Sequence, residues 1–123
     1  MPDTLTIGVV EDDPSFLRAL RRLLSAAGFS VAAFASAEEF LASKSTGAMS
    51  CLVLDVHLGG MSGFDLQQRL ATAGDPIPTI FITAHDDRVT RTRARSGVAY
   101  LRKPFREGAL IGAIQQALEN RGA

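Results

Sequence analysis

The sequence predicts an α/β protein: a doubly wound, five-stranded parallel sheet with helices on both faces. Three observations carry that prediction. Five short apolar runs rich in β-branched residues alternate with segments whose apolar residues recur at helical spacing. Glycines stand where several of the helical segments should stop. Reactive polar residues collect immediately after the apolar runs, as expected of an open parallel sheet whose strands end on one rim.

Taken in order, Leu5 to Val10 is an apolar run that ends abruptly in Glu11-Asp12-Asp13, and it fits a strand covered on both faces. Pro14 sits where a first helical residue belongs, and Phe16, Leu20, Leu23, Leu24 and Ala27 repeat along one helix face before Gly28 stops it. Val31 to Phe34 is a weaker strand, and Ser36-Ala-Glu-Glu39 has the pattern of a capping box opening a second helix through Phe40 and Leu41. Cys51 to Leu54 is the third strand, Gly63 to Leu70 carries a helix, and Gly74 closes it. Pro78 to Ile82 is the fourth strand, followed by a helix from Asp87 to Arg95 ending at Gly97. Val98 to Leu101 is the last strand, and Leu110, Ile111, Ile114, Ala117 and Leu118 give the apolar face of a final helix.

No linker or repeat interrupts these units, and 123 residues suit one domain covering 1–123. Thirteen basic and 13 acidic residues cancel, which gives no support to a general nucleic-acid or membrane-surface binder. The single cysteine, Cys51, lies inside an apolar run and reads as a small buried hydrophobe; it excludes a disulfide framework. No stretch is long and apolar enough to span a bilayer, and Met1-Pro2-Asp3 is neither basic nor hydrophobic, so a soluble cytoplasmic protein is expected.

Residues just past each strand should be neighbours in space: Glu11, Asp12 and Asp13, then Asp55, Thr83 and Lys103. Crowded carboxylates repel one another unless a cation joins them. Mg²⁺ prefers oxygen ligands and works with one or two carboxylates plus phosphate oxygens. A carboxylate can also be the nucleophile that accepts a phosphoryl group, and the new oxygens then need Mg²⁺, a lysine and a hydroxyl. Each residue has an ordinary explanation too. Asp13-Pro14 is a good N-cap and first helical residue, Asp55 suits a turn, Lys103 suits a solvated surface, and Thr83 suits a strand end. Their coincidence at one rim is what argues for chemistry.

The motifs Val10-Glu-Asp-Asp13, Leu54-Asp55, Met61-Ser-Gly63, Ile82-Thr-Ala84 and Leu101-Arg-Lys-Pro-Phe105 resemble the receiver domain of two-component response regulators over essentially the whole chain. The resemblance implies the CheY-like (βα)5 fold with strand order 2-1-3-4-5. It implies that Asp55 is the phosphoacceptor, that Asp12 and Asp13 are the Mg²⁺-binding acid pair, and that the backbone carbonyl of His57 is a further ligand. It makes Thr83 and Lys103 the groups that meet the phosphoryl oxygens and Tyr100 the aromatic that moves with the switch. It implies a cis bond before Pro104 that aims the lysine. His57 and His85 fall at positions that tune the phosphoryl group's lifetime. The implied partner is a sensor histidine kinase, with dimerisation through helix 4, strand 5 and helix 5, where seven basic residues (Arg88, Arg91, Arg93, Arg95, Arg102, Lys103 and Arg106) occur with no acidic one between.

Within the family, Ala35 to Leu41 and Gly60 to Asp65 most resemble the FixJ/NarL type of transcriptional regulator, which carries a C-terminal DNA-binding domain. That domain is not in this chain, which is expected to be a lone receiver or a piece cut before the output. Two departures stand out. Ser62 replaces the usual proline, which should loosen the loop after Asp55. The stretch from Thr83 to Lys103 is slightly short, so the fourth helix should be short, with Thr90 and Thr92 weakening it further. An aspartyl-nucleophile phosphatase would want a second aspartate where His57 stands, so turnover enzymology is not expected. A nucleotide site lacks its Gly-rich loop. A phosphate-independent interaction module is the remaining alternative.

Overall fold

A computed structural model describes residues 5–43, 49–85 and 87–121, with side chains described through Glu119. Met1 to Asp3 and the end of the chain at Ala123 lie outside the described residues. The strands are β1 (Thr6–Val10), β2 (Ser30–Phe34), β3 (Cys51–Asp55), β4 (Thr79–Thr83) and β5 (Ala99–Arg102). The helices are α1 (Pro14–Ala26), α2 (Ala37–Ala42), α3 (Gly63–Thr72), α4 (Arg88–Arg93) and α5 (Glu107–Arg121), with a 3-10 turn at Ala94–Ser96 continuing α4. All neighbouring strands pair in parallel, in the order β2-β1-β3-β4-β5.

Strand alternation builds two cores at once. Along β3, Cys51 and Val53 join Ile7, Val9, Ile80 and Ile82 beneath α1 and α5, where Leu20, Leu24, Leu110 and Ile114 cover them. Leu52 and Leu54 face the other way, joining Val10 and Phe81 beneath Phe40 of α2 and Phe64, Leu66 and Leu70 of α3. This explains why β3 and β4 are wholly buried and why the interior positions of both are apolar. Cys51 is a buried free thiol, as its apolar setting suggests. Among the described residues no helix is long and apolar enough to cross a membrane.

Helix ends follow local chemistry. Gly28 and Gly74 take positive φ values of 98° and 81° just past α1 and α3, a conformation side chains disfavour. Ser36 caps α2 by accepting the Glu39 N–H at 3.0 Å. The complete reciprocal capping box forms at α3: Ser62 Oγ accepts the Asp65 N–H at 3.1 Å, and Asp65 Oδ2 accepts the Ser62 N–H at 3.4 Å. Ser62 therefore fastens the loop that its replacement of proline was expected to loosen. A second fastening comes from α2, where Glu38 Oε2 accepts the Met61 N–H at 3.0 Å and holds the Glu38 carboxyl below its ordinary range.

Helix α4 is short, as the shortened stretch implies: six residues before the 3-10 turn. Asp87 caps it, accepting the Thr90 N–H at 2.7 Å. Arg93 pins it to α3, with its guanidinium 4.6 Å from the Phe64 ring centroid and 3.7 Å from Asp65 Oδ1. Replacing Ser62 by alanine removes the α3 cap and is expected to destabilise the fold by about 1 kcal/mol. Urea unfolding checks this, and an unchanged midpoint would deny Ser62 the fastening role.

Candidate functional site

The rim at the carboxyl ends of the strands gathers the reactive residues. Asp55 is the last residue of β3 and lies 5% exposed, between Val10–Leu54 pairing on one side and its own pairing with Ile82 on the other. Asp55 Oδ1 accepts the backbone N–H of His57 at 3.2 Å. The backbone beyond it is crowded: a Cβ at Gly63 would collide with the Asp55 carbonyl oxygen, so only glycine lets α3 start there.

Lys103 follows β5, anchored by its N–H to the Thr83 carbonyl at 2.7 Å, and the Lys103–Pro104 bond is cis as the resemblance implies. Its Nζ donates to Glu11 Oε1 at 2.7 Å and to Asp55 Oδ2 at 3.3 Å. Burial works against the ammonium, yet the bond to Glu11 and the charges of Asp55 and Glu11 outweigh it and hold Lys103 above its ordinary range. Glu11 is 1% exposed, and burial raises its carboxyl despite the bonds from Lys103 and the Asp13 N–H.

The first acidic run divides between the site and the start of α1. Glu11 extends β1 by one step, its N–H bonded to the Phe34 carbonyl at 3.0 Å, which directs it into the site. Glu11, Asp12 and Asp55 bring carboxylate oxygens within 4.8 Å of one another. Asp13, expected as half of the acid pair, instead caps α1: Oδ1 accepts the N–H groups of Ser15 at 3.0 Å and Phe16 at 3.4 Å, with Pro14 as the first helical residue. The carboxylates that this rim brings together are thus those of Glu11, Asp12 and Asp55, with Asp13 engaged at the helix start. The Asp-Pro pattern is the sequence signal for that cap, and the cap forms as that pattern implies. An all-oxygen set of three carboxylates, with Lys103 the one neighbouring ammonium among the described residues, fits Mg²⁺, which favours such donors.

Thr83 ends β4 fully buried, and its hydroxyl is engaged with the following loop. Thr83 Oγ1 accepts the His85 N–H at 3.0 Å and donates to the His85 carbonyl at 3.2 Å. Tyr100 is half-buried, and its hydroxyl donates to the same carbonyl at 3.4 Å. The His57 and His85 rings, both on exposed residues, meet edge to face with centroids 4.8 Å apart.

The family model described as response regulator receiver domain matches residues 7–115. Nodulation protein W of Bradyrhizobium diazoefficiens is 48% identical over 113 residues, covering 90% of this chain and 50% of that protein. The solved structure of the response regulator StyR superposes with a TM-score of 0.87 at 42% identity, covering 98% of this chain and 62% of that one. The solved FixJ-N structure gives 0.85 at 33% identity, covering 97% and 96%. The chain spans about half the length of the curated relatives it matches (50% and 51% for the first two).

If the acid pair is Glu11 and Asp12, then Glu11→Gln or Asp12→Asn should weaken Mg²⁺ binding at least about tenfold. Asp13→Asn should leave that affinity nearly intact, because its carboxylate serves the helix. Titration calorimetry with Mg²⁺ checks both arms. Equal losses at Asp12 and Asp13 would restore the original pair.

Proposed function

This chain belongs to the response regulator receiver family, and from that premise we propose that it is a phosphorylation switch charged at Asp55 by a sensor histidine kinase. The observation that carries the reading is one rim holding Glu11, Asp12 and Asp55 within 4.8 Å, with Lys103 bonded to both Glu11 and Asp55. An Asp55 carboxylate oxygen attacks the phosphorus of the partner's phosphohistidine. The P–O bond forms as the P–N bond breaks, and the imidazole leaves with the electron pair. Glu11, Asp12, Asp55 and the His57 backbone carbonyl would hold Mg²⁺, which supplies positive charge to offset that of the incoming phosphoryl oxygens.

The rest of the rim responds to the added charge. Lys103 can exchange one of its two carboxylate bonds for one to a phosphoryl oxygen. Thr83 must give up its bond to the His85 carbonyl before its hydroxyl can reach the phosphoryl group. That change alters the carbonyl on which the Tyr100 hydroxyl also depends, and so couples Asp55 to β5. The domain assists its own phosphorylation and dephosphorylation and is not a turnover enzyme. His57 and His85 stand where water must approach, and we read them as setting how long the phosphoryl group survives. A cytoplasmic location suits such a kinase substrate.

The output face is α4, β5 and α5. Arg88, Arg91, Thr92 and Arg95 line a shallow cavity of about 260 Å³ on α4, and neighbouring Val89 is 68% exposed. A basic surface with an exposed aliphatic residue suits an acidic protein partner or a dimer contact.

Incubation with acetyl phosphate and Mg²⁺ should add one phosphoryl group by intact mass to the parent and none to Asp55→Asn. No adduct on the parent, under conditions that label a control receiver, favours the phosphate-independent module. In the same assay the His57→Ala/His85→Ala variant should lose its adduct at a changed rate, and an unchanged rate removes the histidines from that role. Charge reversal at Arg91 and Arg95 should abolish phosphorylation-dependent dimerisation or partner binding, measured by light scattering or pull-down with the kinase-activated protein. Retained assembly excludes this face.

A further inference from the structure

Phosphoryl chemistry accounts for the carboxylates around Lys103 but not for the aromatic ring against it. Phe16 lies in the first turn of α1, and the Lys103 Nζ stands 4.4 Å from its ring centroid. Phe105, two residues past the lysine, meets the same ring edge to face at 5.9 Å and 85°. The turn that carries Phe16 is fixed in its own right, because Asp13 Oδ1 accepts the Phe16 N–H. The ring is therefore held from two directions, by the helix cap and by Phe105.

The ring offers the ammonium something that neither a carboxylate nor an aliphatic side chain could. Its face carries partial negative charge and attracts a cation. It adds no full charge, so it does not compete with Asp55 for the lysine as a further acid would. It also keeps water from part of the ammonium, whose side chain is 18% exposed, and lower local polarity strengthens attraction to phosphoryl oxygens. Leucine would fill similar space in the cluster formed by β1, β3, α1 and α5 but would offer no such face.

We propose that Phe16 is a positioning residue for phosphoryl acceptance, its ring face keeping the Lys103 ammonium at the rim so that it passes from Glu11 to the phosphoryl oxygens on Asp55. This rests on the switch reading above. Phe16 touches no reacting atom and acts wholly through Lys103.

The test separates the ring's electrons from its bulk. In the full chain, Phe16 is replaced by phenylalanines of increasing ring fluorination, which drains the face of electron density while nearly keeping shape. Phe16→Tyr and Phe16→Leu accompany the series, and urea midpoints confirm folding. The rate of phosphorylation by acetyl phosphate in saturating Mg²⁺ is followed by intact mass.

The expected result is a stepwise fall with fluorination, reaching about three- to tenfold in the most fluorinated form and in Phe16→Leu, with Phe16→Tyr near the parent. In a Lys103→Ala background the same series should be flat. An even rate across the fluorinated series, with only Phe16→Leu slowed, overturns the proposal and leaves Phe16 a packing residue. A persisting trend without Lys103 also overturns it. A parent that takes no phosphoryl group overturns the switch reading and this inference with it, whereas a labelled parent with a flat series overturns the inference alone.

Discussion

Among the described residues one ammonium, that of Lys103, faces a crowd of carboxylates, and the architecture of the rim follows from that imbalance. A parallel sheet brings its strand ends to a common edge, which is why acids from β1 and β3 come within 4.8 Å of each other although far apart in the chain. Lys103 is the group that makes their proximity tolerable, through bonds of 2.7 Å to Glu11 and 3.3 Å to Asp55. Removing charge from the acids, or adding it as phosphate, changes the partners available to this one side chain. The site is in this sense poised by its electrostatics rather than by any single contact.

The supporting structure holds the acids still while leaving the threonine side adjustable. Asp55 is embedded in β3, receives the His57 N–H and abuts Gly63. The loop beyond it is tied to α2 through Glu38 and to α3 through the Ser62 and Asp65 box. Around β4 the fastening is of another kind. Thr83 and Tyr100 share one backbone acceptor, the His85 carbonyl, Thr83 from a buried position and Tyr100 from a half-buried one.

The fold was legible because apolar periodicity switches cleanly between two and the helical repeat, with Gly28 and Gly74 as stops. The strand order was not readable from the runs themselves and came from the resemblance. At the site, Asp55, Thr83 and Lys103 were found because each follows or ends an apolar run. Of the three consecutive acids, Asp13 was legible as a helix cap from the proline after it, whereas the place of Glu11 in the cluster was not, because it depends on the direction in which β1 delivers that side chain. Ser62 was read for the proline it lacks rather than for the Asp65 three residues later, which completes its cap. Phe16 was read as one more apolar position on α1, because the ring's encounter with Lys103 joins opposite ends of the chain and leaves no local pattern.

The glycine at the start of α3 has a mechanical meaning. Its N–H bonds the Val56 carbonyl at 3.1 Å, and nothing but backbone separates it from the Asp55 peptide. Side chains bend and change rotamer, whereas two peptide planes in contact have almost no give. The strand end and the helix start therefore behave as a welded joint. Force arising at Asp55 finds that path stiff, and what can rearrange lies on the opposite flank, where the Thr83 hydroxyl and the Tyr100 phenol both bond the His85 carbonyl.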